Sequence, residues 1–173
     1  SERLSQTFAH GCRVLDVGCG AGFVANQLVR AGYRVVGLDT AAESLAVARR
    51  HDRTRRVHWQ LADAAALPFR AGSFDVVCLM DVLEHLIDPE AVLRECRELL
   101  KPGGNIVISL PNVANITVRL ALLFGRFEYR PRGILDCTHL RFFTRGTARK
   151  LILAAGMEVT REEMTVMPIE LAL

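Results

Sequence analysis

The sequence has 173 residues, half of them hydrophobic, and a formal net charge of +3 at pH 7. That length suits one compact domain and excludes a second full one. The charge is too mild, with acidic residues scattered throughout, to imply a nucleic-acid partner. No run approaches the ~18 apolar residues of a membrane span, so a soluble protein with no membrane partner is expected.

In chain order, short β-branched runs alternate with segments of helical spacing, the pattern of a parallel sheet with crossover helices. Residues 13–17 (RVLDV) read as the first strand and run into a turn with glycines at 18, 20 and 22. A second strand is expected at 34–39 (RVVGLD), followed by a helix that Thr40 and Glu43 would open as a capping box. Strands three and four are expected at 57–62 and 74–80. Asp88 then caps a helix with Pro89 at its first position, where a missing N–H costs nothing. That helix carries Val92, Leu93, Cys96, Leu99 and Leu100 on one face and stops at Lys101-Pro102-Gly103-Gly104. Strand five is expected at 105–110.

Beyond it, residues 111–133 read as a short helix and a Pro/Gly/Arg-rich loop, a type of insertion that covers sites more often than it builds scaffolds. Thr144 should cap a helix running to Gly156, with a sixth strand from Met157. The fold class is α/β: a Rossmann-like, doubly wound, mostly parallel sheet with helices on both faces. We expect one domain over 1–173, trimmed at both ends, with 111–145 as an acceptor-side insertion or lid. Cys12, Cys19, Cys78, Cys96 and Cys137 form no CxxC pair and no Cys/His zinc spacing. They are expected to be reduced core thiols of a cytoplasmic protein, and no metal site is expected.

The glycine turn is G-x-G-x-G, one residue out of register with the dinucleotide fingerprint G-x-G-x-x-G. Asp16 stands two residues before the first glycine, where its charge would repel a pyrophosphate and favour an ammonium or sulfonium. These residues, VLDVGCGAG, resemble the first motif of class I S-adenosylmethionine-dependent methyltransferases. VVGLDT, LADAAALPF, FDVVCLMDVLEHL and LLKPGGNIVISLPN resemble the motifs that follow it, in family order, over residues 12–112. The stretch PN...RLALLFGRF...LDCTHLRFFT is similar to a bacterial subgroup related to quinone-biosynthesis O-methyltransferases and to methyltransferase-like methionine-biosynthesis proteins. Some members of that subgroup are fused to other domains, which leaves a fused or neighbouring domain open here.

The resemblance implies S-adenosylmethionine as donor and S-adenosylhomocysteine as product. It places Asp16 and the turn Gly18, Cys19, Gly20 and Gly22 at the methionine end of the donor. Asp39, beside Thr40, would accept both ribose hydroxyls. Asp63 would accept from the adenine amino group and Ala64 would offer its amide to a ring nitrogen. Met80 and Asp81 would lie beneath the sulfonium. Each aspartate also fits a plain helix cap or turn, and the glycines also fit a turn without a ligand. Their joint placement at carboxyl ends of successive strands is what favours a site.

A sulfonium methyl is already activated, so alignment in a water-poor pocket is the main requirement, and a hydroxyl acceptor would add the need for a base. His10, His51 and His58 read as structural or solvated. His85, just after strand four, and His139, in DCTHLRFF, are the candidate bases, each equally compatible with a loop-fixing role. Eight basic residues between 119 and 150 face only Glu128 and Asp136, which suggests an anionic small-molecule acceptor met by Arg141 and Asn112. The leading reading is methyl transfer to a small molecule at oxygen. The alternative is a non-catalytic or partner-dependent S-adenosylmethionine-binding protein of the same fold. A nicotinamide dehydrogenase is disfavoured by the glycine register.

Overall fold

The computed structural model describes residues 8–164. The apolar runs form β1 (Arg13–Val17), β2 (Arg34–Asp39), β3 (His58–Leu61), β4 (Phe74–Met80) and β5 (Leu100–Ser109). All pair in parallel, in the order β3-β2-β1-β4-β5. The chain winds outward from β1 through β2 to β3, then returns to the other side of β1 with β4. The reversal between β1 and β4 is the switch point outside which open α/β sheets bind ligands. Central strands are buried on both faces, with Leu15, Val17, Val77, Cys78 and Leu79 at 0% exposure. Each such aliphatic side chain contributes about 1.5–3 kcal/mol by leaving water.

Among the described residues five α-helices accompany the strands: α1 (Phe23–Arg30), α2 (Ala42–His51), α3 (Pro89–Leu99), α4 (Ile116–Leu123) and α5 (Arg145–Ala154). The apolar face of α1 places Ala25, Leu28 and Val29 in one cluster with Val14, Tyr33, Val35, Val57, Val76 and Cys78. As expected, Asp88 caps α3, its Oδ1 accepting from the Ala91 amide at 3.0 Å, and the helix buries Val92, Leu93, Cys96 and Leu99.

The chain divides into two compact units. One holds the described residues up to Met80 together with Arg94–Ser109, and thus the sheet; the other holds Asp81–Leu93 and the described residues from Leu110 on. The insertion expected at 111–145 falls in the second unit. There α4 starts at Asn115, whose side chain accepts from the Thr117 amide, and α5 starts at Thr144 in a capping box with Thr147. No helix among the described residues is long and apolar enough to cross a membrane.

Four expectations need correction. Thr40 and Glu43 form no capping box: α2 begins after Ala41, which has no side-chain cap. The Asp39 carboxylate takes the Ala41 amide at 2.8 Å instead. Second, Lys101-Pro102-Gly103-Gly104 does not separate helix from strand but lies inside β5. Leu100 pairs with Phe74, the register shifts between Phe74 and Val76, and Lys101 Nζ reaches both oxygens of Asp75 at 2.8 Å. An irregularity of this kind absorbs the proline and glycine within an edge strand. Third, no strand forms at 157–164. Glu162 pairs with Arg145 on α5 and Glu163 with Arg161, contacts made by side chains rather than by a ladder; residues 165–173 lie outside the described residues. Fourth, Cys137 is exposed, because it sits in a polar turn where Asp136 accepts from the amide and hydroxyl of Thr138.

Candidate functional site

In the first unit the glycine turn connects β1 to α1 with left-handed backbone at alternate residues. Gly18, Gly20 and Gly22 have φ of 66°, 51° and 77°, a region that costs other residues more than glycine. Gly22 is the N-cap of α1 and supplies no side-chain cap. The turn is tied to the end of β2 by two hydrogen bonds: the Cys19 amide donates to the Leu38 carbonyl at 2.9 Å, and the Gly20 amide donates to Asp39 Oδ2 at 2.7 Å. Asp39 therefore organises the turn as well as offering acceptor sites, since a carboxylate has about four lone-pair positions. A Cβ added to Gly20 would meet nothing within 4 Å, so open space lies over the turn.

Asp16 is 1% exposed and its Oδ2 has no hydrogen-bond partner. The register places it in one row with Trp59, Gly37 and Cys78 on four successive strands. Burial in that row pushes its carboxyl up to about 7, opposed by a bond from the Ala25 amide and reinforced by the charge of Asp39. An unpaired buried carboxylate is costly, and a cationic group arriving beside it would relieve the cost. Burial also pushes the Cys19 and Cys78 thiols up, which makes them inert packing groups rather than nucleophiles.

After β3, Asp63 is exposed and its Oδ1 accepts from the Ala65 amide at 2.9 Å, while Ala64 is buried. This loop is held by Glu95 on α3, which accepts from the Leu67 amide at 2.7 Å. Thr40 is exposed beside Asp39. Met80 ends β4 half-buried, and Asp81 follows with φ 55°, a left-handed conformation that a non-glycine residue adopts at some cost.

In the second unit a 3-10 turn, Leu83–His85, carries Glu84 at 0% exposure with neither side-chain oxygen hydrogen-bonded. Its backbone carbonyl accepts from the amides of Leu140 and Arg141 at 2.9 and 3.1 Å, which brings 138–141 beside it. His139 Nε2 lies 3.9 Å from Glu84 Oε1, and the His85 and His139 rings meet edge to face with centroids 4.8 Å apart. Nδ1 of His85 is 3.2 Å from the Thr138 carbonyl, and Nδ1 of His139 is 3.2 Å from the Ile134 carbonyl. A carbonyl only accepts, so each Nδ1 carries a hydrogen, and in the neutral form of the ring Nε2 is then the nitrogen with the lone pair. One ligand atom from each of Glu84, His85 and His139 falls within 4.8 Å of the others, a donor set able to hold a divalent cation. Burial, with the charge of Asp81, pushes the Glu84 carboxyl up to about 7.

The two expected acceptor residues are engaged locally. The Arg141 guanidinium donates to the Leu86 carbonyl at 3.2 Å and also to that of Ile87, which makes it a strut for the loop after the 3-10 turn. Asn112 Oδ1 accepts from the Ala114 amide at 3.0 Å, closing a turn of its own. His85 and His139, chosen from separate motifs, stand together. Sequence reasoning missed Glu84, although an acidic residue flanked by buried apolar ones in VLEHL was a usable signal. It also missed Trp59, for which no local signal existed.

A family model described as a methyltransferase domain matches residues 15–108. The ubiquinone biosynthesis O-methyltransferase of Cereibacter sphaeroides is 35% identical over 164 residues, covering 92% of this chain and 66% of that protein. The chain thus spans a little under two thirds of that relative, and 53% of the like-named protein of Sodalis glossinidius, which is 40% identical over 134 residues. Among solved structures, the [4+2]-cyclase SpnF has a TM-score of 0.71 at 26% identity, covering 90% of this chain and 56% of that one.

Proposed function

Because the chain belongs to the methyltransferase domain family, we propose that it moves a methyl group from S-adenosylmethionine to a hydroxyl oxygen of a small molecule, releasing S-adenosylhomocysteine. The observation that carries the donor reading is the strand-end set of Asp16, the glycine turn and Asp39. Asp16 has a buried oxygen without a partner, suited to a cationic amino-acid end, and the open space over Gly20 admits a ligand close to the backbone. Asp39 keeps acceptor capacity for ribose hydroxyls after serving Gly20 and Ala41. Asp63 and the Ala64 amide would serve the adenine. The oxygen acceptor is supported by the names of the relatives, which are O-methyltransferases.

Donor chemistry needs little from the protein beyond alignment, because the sulfonium methyl is activated when bound. The acceptor hydroxyl must lose a proton, and His85 and His139 each keep an Nε2 lone pair for it. A cavity of about 460 Å³ in the second unit is lined by Val118, Leu120 and Phe124 together with Arg126, Arg130 and Arg132, which outnumber the one carboxylate there, Glu128. That lining suits an acceptor with an apolar body and an acidic group.

A second reading of the histidine pair is favoured by Glu84, whose two oxygens are buried without partners. Glu84, His85 and His139 would hold a divalent cation, with each imidazole oriented through its Nδ1–H by a backbone carbonyl. The cation would lower the pKa of the acceptor hydroxyl, so that its proton would pass to solvent water with no side-chain base. Methyl-labelled S-adenosylmethionine, incubated with hydroxylated aromatic acids and quinols, should pass label to the acceptor. Loss of transfer on chelation and its return with magnesium, manganese or zinc would select the cation reading; indifference to chelation would select the base. Donor binding without transfer to any acceptor would favour the partner-dependent binding protein.

A further inference from the structure

Gly37 lies inside β2 with no left-handed backbone to explain it, and the residue that explains it is Trp59. The two are register partners on β2 and β3, and the neighbour of Gly37 on its other side is Asp16. A Cβ at Gly37 would stand 2.6 and 2.7 Å from the Trp59 ring atoms Cζ3 and Cε3, and 3.2 Å from Cys19 Sγ. Contacts that short require the ring to move. The far edge of the same indole reaches the glycine turn, since a Cβ at Gly22 would stand 2.5 Å from Trp59 Cη2 and 2.8 Å from the Ala48 Cβ. The ring therefore lies across β2, using the space that two glycines leave, and rests on the N-cap of α1.

We propose that Trp59 is a positioning residue for the donor: its indole, seated on Gly37 and Gly22, holds the glycine turn in the geometry that binds S-adenosylmethionine. The proposal rests on the donor reading above. The turn has lateral ties to β2 through Leu38 and Asp39, but at Gly22 it has no side-chain cap, so packing against Trp59 and Ala48 sets the height at which α1 begins. Removing the ring leaves a void under that point. Adding a methyl at Gly37 displaces the ring at a position whose backbone conformation alanine can adopt. In both cases Gly20 and Asp16 shift relative to a ligand while Glu84, His85 and His139 keep their own contacts.

The test is a cycle of Trp59→Leu, Gly37→Ala and the double variant in the whole chain, reading the S-adenosylmethionine dissociation constant by calorimetry, KM and kcat with an accepted substrate, and the melting temperature. Each single change should weaken donor binding about tenfold or more, in line with the sensitivity of positioned groups to misplacements near 1 Å. The double variant should return to within about threefold of the original, because the added methyl occupies space the smaller side chain vacates. The loss should appear in KM for the donor and leave kcat within about threefold. Trp59→Phe keeps an aromatic ring on Gly37, guards against failure of the others to fold, and should weaken binding only a few-fold. If the melting temperature falls while donor affinity and KM stay within about twofold in Gly37→Ala and Trp59→Phe, Trp59 is only a packing residue and the proposal is overturned. Absence of donor binding by the unmodified chain would instead overturn the donor reading, and the role of Trp59 with it.

Discussion

The glycine turn of the first unit and the Glu84 cluster of the second each bury a carboxylate whose protonation shifts to about 7, yet they do so in different ways. Asp16 is embedded in a sheet row between Gly37 and Cys78, and its Oδ2 is buried with no hydrogen-bond partner among the described residues. Glu84 sits in a 3-10 turn with two imidazoles near it, and those imidazoles turn their Nδ1 atoms to backbone carbonyls, which leaves Nε2 as the ring nitrogen on offer. The first arrangement suits a cationic guest; the second suits a proton or a metal ion. The difference shows that burial alone does not define a site's chemistry, because the groups aimed at the buried charge decide what completes it.

The largest expected effect would break the comparison on the second side. Glu84→Gln removes the charge with little change of shape and should lower kcat by about a hundredfold or more, the usual scale for a group that organises proton transfer. Calorimetry should find donor affinity unchanged, and a parallel loss of donor affinity would deny the separate roles of the two regions. Asp39→Ala strikes the first side. It removes the acceptor of the Gly20 and Ala41 amides, and with charged hydrogen bonds contributing about 1.5–3 kcal/mol each, the donor dissociation constant should rise at least about tenfold with kcat at saturation little changed.

The third prediction sharpens the contrast through pH. Asp16 moves from 3.8 to about 7 on folding, so between those values the folded state holds the extra proton. Its contribution to stability is therefore full below about 4 and is lost as pH rises through about 7. A donor carrying an ammonium prefers the ionised carboxylate, so donor affinity should climb by up to about tenfold per unit below pH 7 and level off above. Asp16→Asn should bind more weakly and with a flat profile, read by titration at pH 5.5, 6.5 and 8. The smallest effect belongs to neither carboxylate. Thr144→Ala removes the α5 cap and should cost about 1 kcal/mol, visible as a lower melting temperature with donor affinity intact.

Strands β1, β2 and β4 could be read residue by residue because each is a continuous β-branched run bounded by turn residues, the form a strand buried on both faces must take. The caps at Asp88 and Thr144 were equally legible, since a cap is a contact within four residues. The Thr40 cap failed for an instructive reason: Asp39, one residue earlier, captured the Ala41 amide while also serving Gly20 from another strand. Tertiary contacts likewise engage Arg141, whose guanidinium donates to the carbonyls of Leu86 and Ile87.

The sequence by itself determined the α/β order, the glycine turn and the aspartates at the strand ends, because these are written in local pattern and spacing, and its ordered motifs resemble those of the methyltransferase family. Only the tertiary structure decided which groups share a row or a cluster. Register placed Trp59, Gly37 and Asp16 side by side, and the return of 138–141 to the carbonyl of Glu84 joined two histidines 54 residues apart in sequence. The burial of Asp16 and Glu84, and the carboxylate oxygens they keep without hydrogen bonds, are properties of everything packed around them, and no local run of residues encodes them.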